Sequence, residues 1–352
     1  MIRHFYGPFA VTGICLTLGT TYGYMSGGTV AAALSALWIC IVLAILEVSL
    51  SFDNAVVNAT VLKDMDPIWQ RRFLTWGVLI AVFGMRIFFP IIIVAIAGSL
   101  GPIEALTLSL NEPARYAEIV SGAHNTIMGF GGAFLMLVGL KFFFDADKEH
   151  HWIGIIERPL KKFADLEALE IILVLAILYG FSGLLPEAQG YSFFISGMLG
   201  IFTFFGVEWL GNLLEVPEDT MDGVKKAGLG AFLYLEVLDA SFSFDGVIGA
   251  FALSNNLIII ALGLGIGAMF VRSMTIALVK SGTLSQYRYL EHGAFWAILA
   301  LAFIMFSSVL VEIPETVTGF VGASLIGLAL LSSIRHNRAN PEAAEDNTAI
   351  TE

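Results

Sequence analysis

The chain has 352 residues, 57% hydrophobic and only 14% charged, with a mean hydropathy of +0.82 and a formal net charge of −12. That composition excludes a soluble globular domain and leaves a polytopic membrane protein, while the negative charge excludes a nucleic-acid-binding surface. Cys15 and Cys40 both lie in apolar segments, which excludes a disulfide framework or a CxxC metal site.

Apolar runs of membrane-spanning length predict an all-α fold of ten spans: 7–25, 30–62, 73–99, 120–144, 169–186, 191–210, 227–254, 257–280, 290–311 and 316–334. The first is diluted by Thr17, Thr20, Thr21 and Tyr22, and is read as retained because no small-residue cleavage site follows it. The organisation that follows is an N-terminal span (1–29), a first repeat (30–144), a cytoplasmic linker (145–168), a connecting helix pair (169–226), a second repeat (227–334) and a disordered acidic cytoplasmic tail (335–352). Within the linker, DADKEHH at 145–151 resembles a metal-binding run but is read as a solvated loop.

Loop charge tests the count. With the N-terminus inside, cytoplasmic segments hold Arg3, Lys63, Arg71, Arg72, Lys141, Lys148, Arg158, Lys161, Lys162, Lys225, Lys226, Lys280, Arg288, Arg335 and Arg338, which is 15 of the 18 basic residues. The exterior holds Arg115, and Arg86 and Arg272 fall inside spans. The positive-inside rule demands this asymmetry, and it places both termini in the cytoplasm.

Two spans carry the same acidic phrase. Residues 47–53 read EVSLSFD and residues 239–245 read DASFSFD, so [Glu/Asp]-x-Ser-x-Ser-Phe-Asp occurs once in each half. A charge at the centre of a membrane helix costs roughly 2.5–3.5 kcal/mol on insertion scales, so such acids are functional candidates by default. Span two runs inward and span seven outward, as in inverted-topology transporters. The next spans agree: Gly77 stands nine residues before Arg86, and Gly263 nine before Arg272.

Residues six apart on a straight helix are rotated by about 600°, so Glu47 and Asp53 share no face unless the helix unwinds between them. Ser49, Ser51, Ser241 and Ser243 compete for backbone hydrogen bonds, and Asn54 and Gly246 follow the two aspartates, so both motif helices are expected to break. Glu236 lies three residues before Asp239 on the same face. The convergent ligand set is Glu47, Asp53, Asn54, Glu236, Asp239 and Asp245, supported by the four serines and by Arg86 and Arg272 as counterions. No His or Cys lies near either motif, so the chemistry favours a hard divalent ion, manganese, magnesium or calcium, over zinc or copper. Clustered carboxylates hold protons while no metal is bound and release them on metal entry, which is the basis of cation/proton exchange.

The segments ILEVSLSFDNAVV and YLEVLDASFSFDGVIGAF, with Arg86, resemble the TerC family of integral membrane proteins over approximately residues 35–310. The resemblance implies a tellurium-resistance or manganese-efflux type of protein with a fold like the lysine-exporter superfamily, and carries that family's acidic positions onto Glu47, Asp53, Asn54, Glu236, Asp239 and Asp245. The extra N-terminal span and the linker mark a divergent branch.

Three classes follow. The first is a secondary transporter, not an enzyme, that exports a divalent cation in exchange for protons across a bacterial inner membrane and holds no tight cofactor. The second is a membrane metal-handling or scaffold protein that supplies metal to secreted proteins without pumping. The third, an intramembrane aspartyl protease, lacks its Gly-x-Gly-Asp context, because Ser243 and Phe244 precede Asp245. A monomer and a homo-oligomer both fit the sequence.

Overall fold

The computed structural model describes residues 5–145, 148, 150–161, 166, 168–214 and 228–339. Every described element is a helix. They are α1 (Tyr6–Gly27), α2 (Val30–Leu50), α3 (Phe52–Leu62), α4 (Pro67–Leu79), a π-helix (Ile80–Phe88), α5 (Phe89–Ala97), α6 (Pro102–Asn111), α7 (Pro113–Gly122) and α8 (His124–Phe143). The second half continues with α9 (Gly154–Lys161), α10 (Leu169–Ser182), α11 (Glu187–Leu214), α12 (Leu229–Leu253), α13 (Leu257–Lys280), α14 (Thr283–Gln286), α15 (Leu290–Ser308) and α16 (Glu315–Ala339).

Each of the ten expected spans falls on one of these helices or on consecutive ones, the span 30–62 being divided between α2 and α3. Seven are long and apolar enough to cross a bilayer: α2, the rod from Pro67 to Ala97, α8, α11, α13, α15 and α16. The other three differ for local reasons. Helix α10 has 14 residues. Helix α12 carries Glu236, Asp239 and Asp245. Helix α1 is diluted by threonines, whose hydroxyls are satisfied inside the helix: Thr17 donates to the Gly13 carbonyl at 2.7 Å, Thr20 to Leu16 at 2.7 Å and Thr21 to Thr17 at 2.8 Å. Back-bonding of this kind lets a polar helix face lipid.

Capping sets the boundaries. Asp66 Oδ1 accepts from the Ile68 amide at 2.7 Å, with Pro67 at the first helical position of α4. Asn256 Oδ1 takes the first free amides of α13, from Ile258 at 3.0 Å and Ile259 at 3.2 Å. Gly28 closes α1 with a φ of 65°, a conformation that favours glycine.

Helix α3 is the buried centre, enclosed by α12, α13, α15 and α16. Residues Asp53 to Thr60 are all buried. Around it, α2 lies on α13 with α1 against both, and α8 lies between α11 and α15. The largest apolar cluster joins α3, α8, α12 and α15, with Phe134, Phe306, Met128 and Leu135 fully enclosed.

Contacts between helix ends sort as the charge rule does. On one side Lys63 reaches Glu291 at 3.3 Å, Arg288 meets His336 and His150 at 2.7 Å each, and Asn337 donates to the Gln286 carbonyl at 2.9 Å. On the other, Asn256 donates to Tyr22 Oη at 3.1 Å and Asn125 to Gln189 at 3.2 Å. Each contact joins segments that the alternating topology puts on the same side.

Three expectations need correction. The second motif helix does not break: α12 runs unbroken from Leu229 to Leu253, because its two acids three residues apart already share a face and a partner. The linker is not loop throughout: beyond the 145–151 run, of which residues 146, 147 and 149 lie outside the described part, it forms α9. Glu157 is 1% exposed and accepts hydrogen bonds from the Trp152 amide at 3.0 Å, the Ile153 amide at 3.2 Å, His292 Nδ1 at 2.9 Å and Trp296 Nε1 at 3.0 Å, which fastens α9 to α15. Residues 335–339, expected in the disordered tail, belong to α16, which continues to Ala339 with contacts from His336 and Asn337; residues 340–352 lie outside the described part.

Candidate functional site

The first motif breaks its helix at one residue. Ser51 leaves helical geometry at φ −103° and ψ 21°, its amide still bonds the Glu47 carbonyl at 3.0 Å, and its own carbonyl accepts from Ala55 at 3.2 Å. A break frees carbonyl oxygens at the end of α2 and amides at the start of α3. Asp53 sits in that first turn, where its Oδ1 accepts from the Asn54 amide at 2.9 Å. A carboxylate there also faces the positive end of the α3 dipole.

The acids then divide between two arginines. Arg86, on the π-helix, donates to Glu47 through Nη2 and to the Ala81 carbonyl through Nη1 at 2.5 Å. Arg272, on α13, grips Glu236 with both terminal nitrogens at 3.2 and 3.1 Å and reaches Asp239 Oδ2 at 3.2 Å. Its Nη1 also donates to the Phe73 carbonyl at 3.2 Å, and the guanidinium lies 4.1 Å above the Phe73 ring. Both arginines are 2% exposed, so each charge is neutralised inside the protein.

The two sets are built reciprocally across the halves. A Cβ on Gly77 of α4 would lie 2.6 Å from Glu236 Oε1, while a Cβ on Gly263 of α13 would lie 2.7 Å from Leu43 Cβ. When Glu47 is aligned with Asp239, Leu43 is the neighbour of the position that matches Glu236. Gly267 admits the Glu47 stem, since a Cβ there would fall 2.3 Å from Glu47 Cβ.

Beside Glu47 and the helix break lies a cavity of about 40 Å³, lined by Glu47, Leu50, Ser51, Asp53, Asn54, Phe242, Gly246, Leu301, Thr318 and Gly319. That volume holds a few water molecules, or one ion with part of its hydration. A Cβ on Gly246 would stand 3.3 Å from Glu47 Oε2, and one on Gly322 of α16 would stand 2.9 Å from Asp53 Oδ2. Asp53 is 7% exposed, and among the described residues no basic side chain lies within ion-pair distance of it.

The structure therefore brings Glu47, Asp53, Asn54 and Ser51 together on the cavity, and holds Glu236 and Asp239 on Arg272. Among the described residues, no three His, Cys, Asp or Glu side chains gather as a ready metal cluster. The side chain of Asp245 lies outside the described part; its backbone belongs to the same turn of α12 as Gly246. Ser243 is buried near Asp239, but two serines are not placed as expected. Ser49 is exposed, because it is rotated to the opposite side of α2 from Glu47, and the Ser241 hydroxyl is occupied by the Val237 carbonyl at 2.9 Å.

Helix α16 supplies residues that sequence reasoning missed. Thr318 lines the cavity, and its buried hydroxyl has no hydrogen-bond partner among the described residues. No acid marks that span, and Thr318, two residues after Thr316, carries no signal above the ordinary back-bonding threonines of α1.

Compared with known proteins, the chain matches the family described as "Protein of unknown function (DUF475)" over residues 52–340. No curated protein and no solved structure matches it.

Proposed function

We propose that this chain, which belongs to the DUF475 family, is a secondary transporter that exports a hard divalent cation, manganese foremost, in exchange for protons. One observation carries the reading: Asp53 is a buried carboxylate at a helix break, on a cavity, with no basic partner among the described residues. An acid at that depth is neutralised by a proton or by a cation, and alternation between the two is exchange. The oxygen-only lining of Glu47, Ser51, Asp53, Asn54 and Thr318 suits manganese, magnesium or calcium, and the carbonyl end of α2 adds further oxygen donors.

The two arginines support a transporter more than a static site. Each consumes acids that would otherwise bind the ion too tightly to let go, leaving Asp53, among the described residues of the site, without a basic partner. The reciprocal packing of Gly77 and Gly263 suits two inverted repeats rocking about the cavity. The resemblance of the acidic motifs to the TerC family points to the same ion class.

Manganese uptake into proteoliposomes containing the purified chain tests this. The wild-type protein moves manganese, with proton movement in the opposite direction, and Asp53→Asn and Asp245→Asn each abolish it while leaving the chain inserted and folded. Manganese binding without flux would instead identify a membrane metal-handling protein. Wild-type flux in Asp53→Asn would overturn the site.

A further inference from the structure

Helix α3 keeps an amide deep in the core, one turn beyond the cavity. Asn58 is fully buried, as are Val57 and Ala59 on either side of it. Neither Oδ1 nor Nδ2 of Asn58 has a hydrogen-bond partner among the described residues. Native interiors seldom leave both halves of an amide unsatisfied, and each such group calls for an explanation.

Its register supplies one. Asn58 lies one turn beyond Asn54 on the same face of α3, a rise of about 6 Å. Asn54 lines the Asp53 cavity. Past Asn58, α3 ends at Leu62, and Lys63 meets Glu291 at 3.3 Å where both side chains are about one-third exposed to solvent. The Thr318 hydroxyl, another buried polar group without a hydrogen-bond partner among the described residues, lies on the cavity itself. Unsatisfied polar groups thus mark both the cavity and the next turn of the helix that leads to the aqueous end.

We propose that Asn58 is a second, uncharged station on the permeation route, receiving the partly hydrated divalent cation from Asp53 and passing it along α3 towards the Lys63–Glu291 end. This rests on the reading of the Asp53 cavity as a cation site. The chemistry fits a station that must release its cargo. The amide oxygen is a hard donor for the ion, the NH₂ group orients an accompanying water, and the absence of charge keeps binding weak.

Two measurements test it. In a Cys15→Ala/Cys40→Ala background, Asn58→Cys should react with a small water-soluble methanethiosulfonate at least ten-fold faster than Val56→Cys, which is buried on the opposite side of the same helix. Added manganese should slow that reaction. Asn58→Leu should reduce manganese flux at least ten-fold while calorimetric manganese binding at the Asp53 cavity stays within two-fold of wild type. Equal thiol reactivity at positions 56 and 58, or wild-type flux in Asn58→Leu, would overturn the proposal. A wild-type protein that moves no manganese would remove the transport reading, and the thiol comparison would still decide whether water reaches Asn58.

Discussion

Gly77 and Arg272 are in such close contact that a Cβ on Gly77 would fall 2.3 Å from Arg272 Nη1. Glycine is required there because the guanidinium must pass α4 to hold Glu236 and Asp239 while donating to the Phe73 carbonyl. Gly77→Ala should therefore destabilise the protein by about 1–3 kcal/mol, the usual range for overpacking a tight interior. Gly206→Ala is the control, because nothing lies within 4 Å of a Cβ built there. Thermal unfolding in detergent reads both, and equal melting temperatures for the two variants would refute the packing argument.

Glu47 and Arg86 offer a double-mutant cycle. Removal of one partner strands a buried charge and typically costs about 3–5 kcal/mol. Removal of both, as Glu47→Gln/Arg86→Met, restores electroneutrality, so a coupling of about 1–3 kcal/mol is expected between the single changes. The double variant should lose less stability than the two single losses added together. Strictly additive losses would show that the pair does not act as a unit.

How far this was legible in the sequence depends on the kind of signal. The spans were readable because lipid imposes length and apolarity on each helix, and the acids and arginines were conspicuous because they break that apolarity. The sequence also marked a break between Glu47 and Asp53, and Ser51 realises it. What it could not give was the division of labour among the acids. A motif lists Glu236 and Asp239 beside Asp53, but only the packing of α4 against α12 and α13 shows that Arg272 claims the first two and leaves the third alone. Thr318, from a span without a charged residue, was likewise invisible. The linker misled for the opposite reason: Glu157 looks like one more loop charge until His292 and Trp296, more than a hundred residues away, close around it.

That linker gives a pH prediction. Burial alone would push the Glu157 carboxyl up, but hydrogen bonds from His292, Trp296 and the Ile153 amide outweigh it and hold the group at about 2. Between its ordinary value near 4.5 and about 2, the unfolded chain binds the extra proton, so stability is present above pH 4.5 and is lost as the pH falls towards 2. Lys148 contributes at the other end. Burial pushes it down to about 8, against the pull of Glu157, so the cost of burying its charge persists below pH 8 and is relieved as the pH rises towards 10.5. Melting temperatures in detergent should fall on acidification below about pH 4.5. Glu157→Gln should melt lower at neutral pH and show a flatter acid limb. An unchanged acid limb in that variant would remove Glu157 as its source.

The last prediction concerns the ion. A site whose side-chain donors are all oxygen, with no His or Cys lining it, should prefer manganese to zinc in transport, although zinc lies above manganese in intrinsic affinity for a given site. The selection must come from geometry: the cavity is lined by carboxylate, amide and hydroxyl side chains from α2, α3, the break between them and α16, which suits a coordination number above four. Because Asp53 has no basic partner among the described residues, a proton is the alternative to the cation, and binding should release it. Apparent manganese affinity should then rise between about pH 6 and 8, as fewer protons compete for the carboxylate. Calorimetric titration of manganese in buffers of different ionisation enthalpy counts the protons released, and Asp53→Asn should lower that count by about one. A count of zero with pH-independent affinity would leave a cation site but remove proton exchange, and a preference for zinc in flux would exclude the oxygen-only cavity as the selecting element.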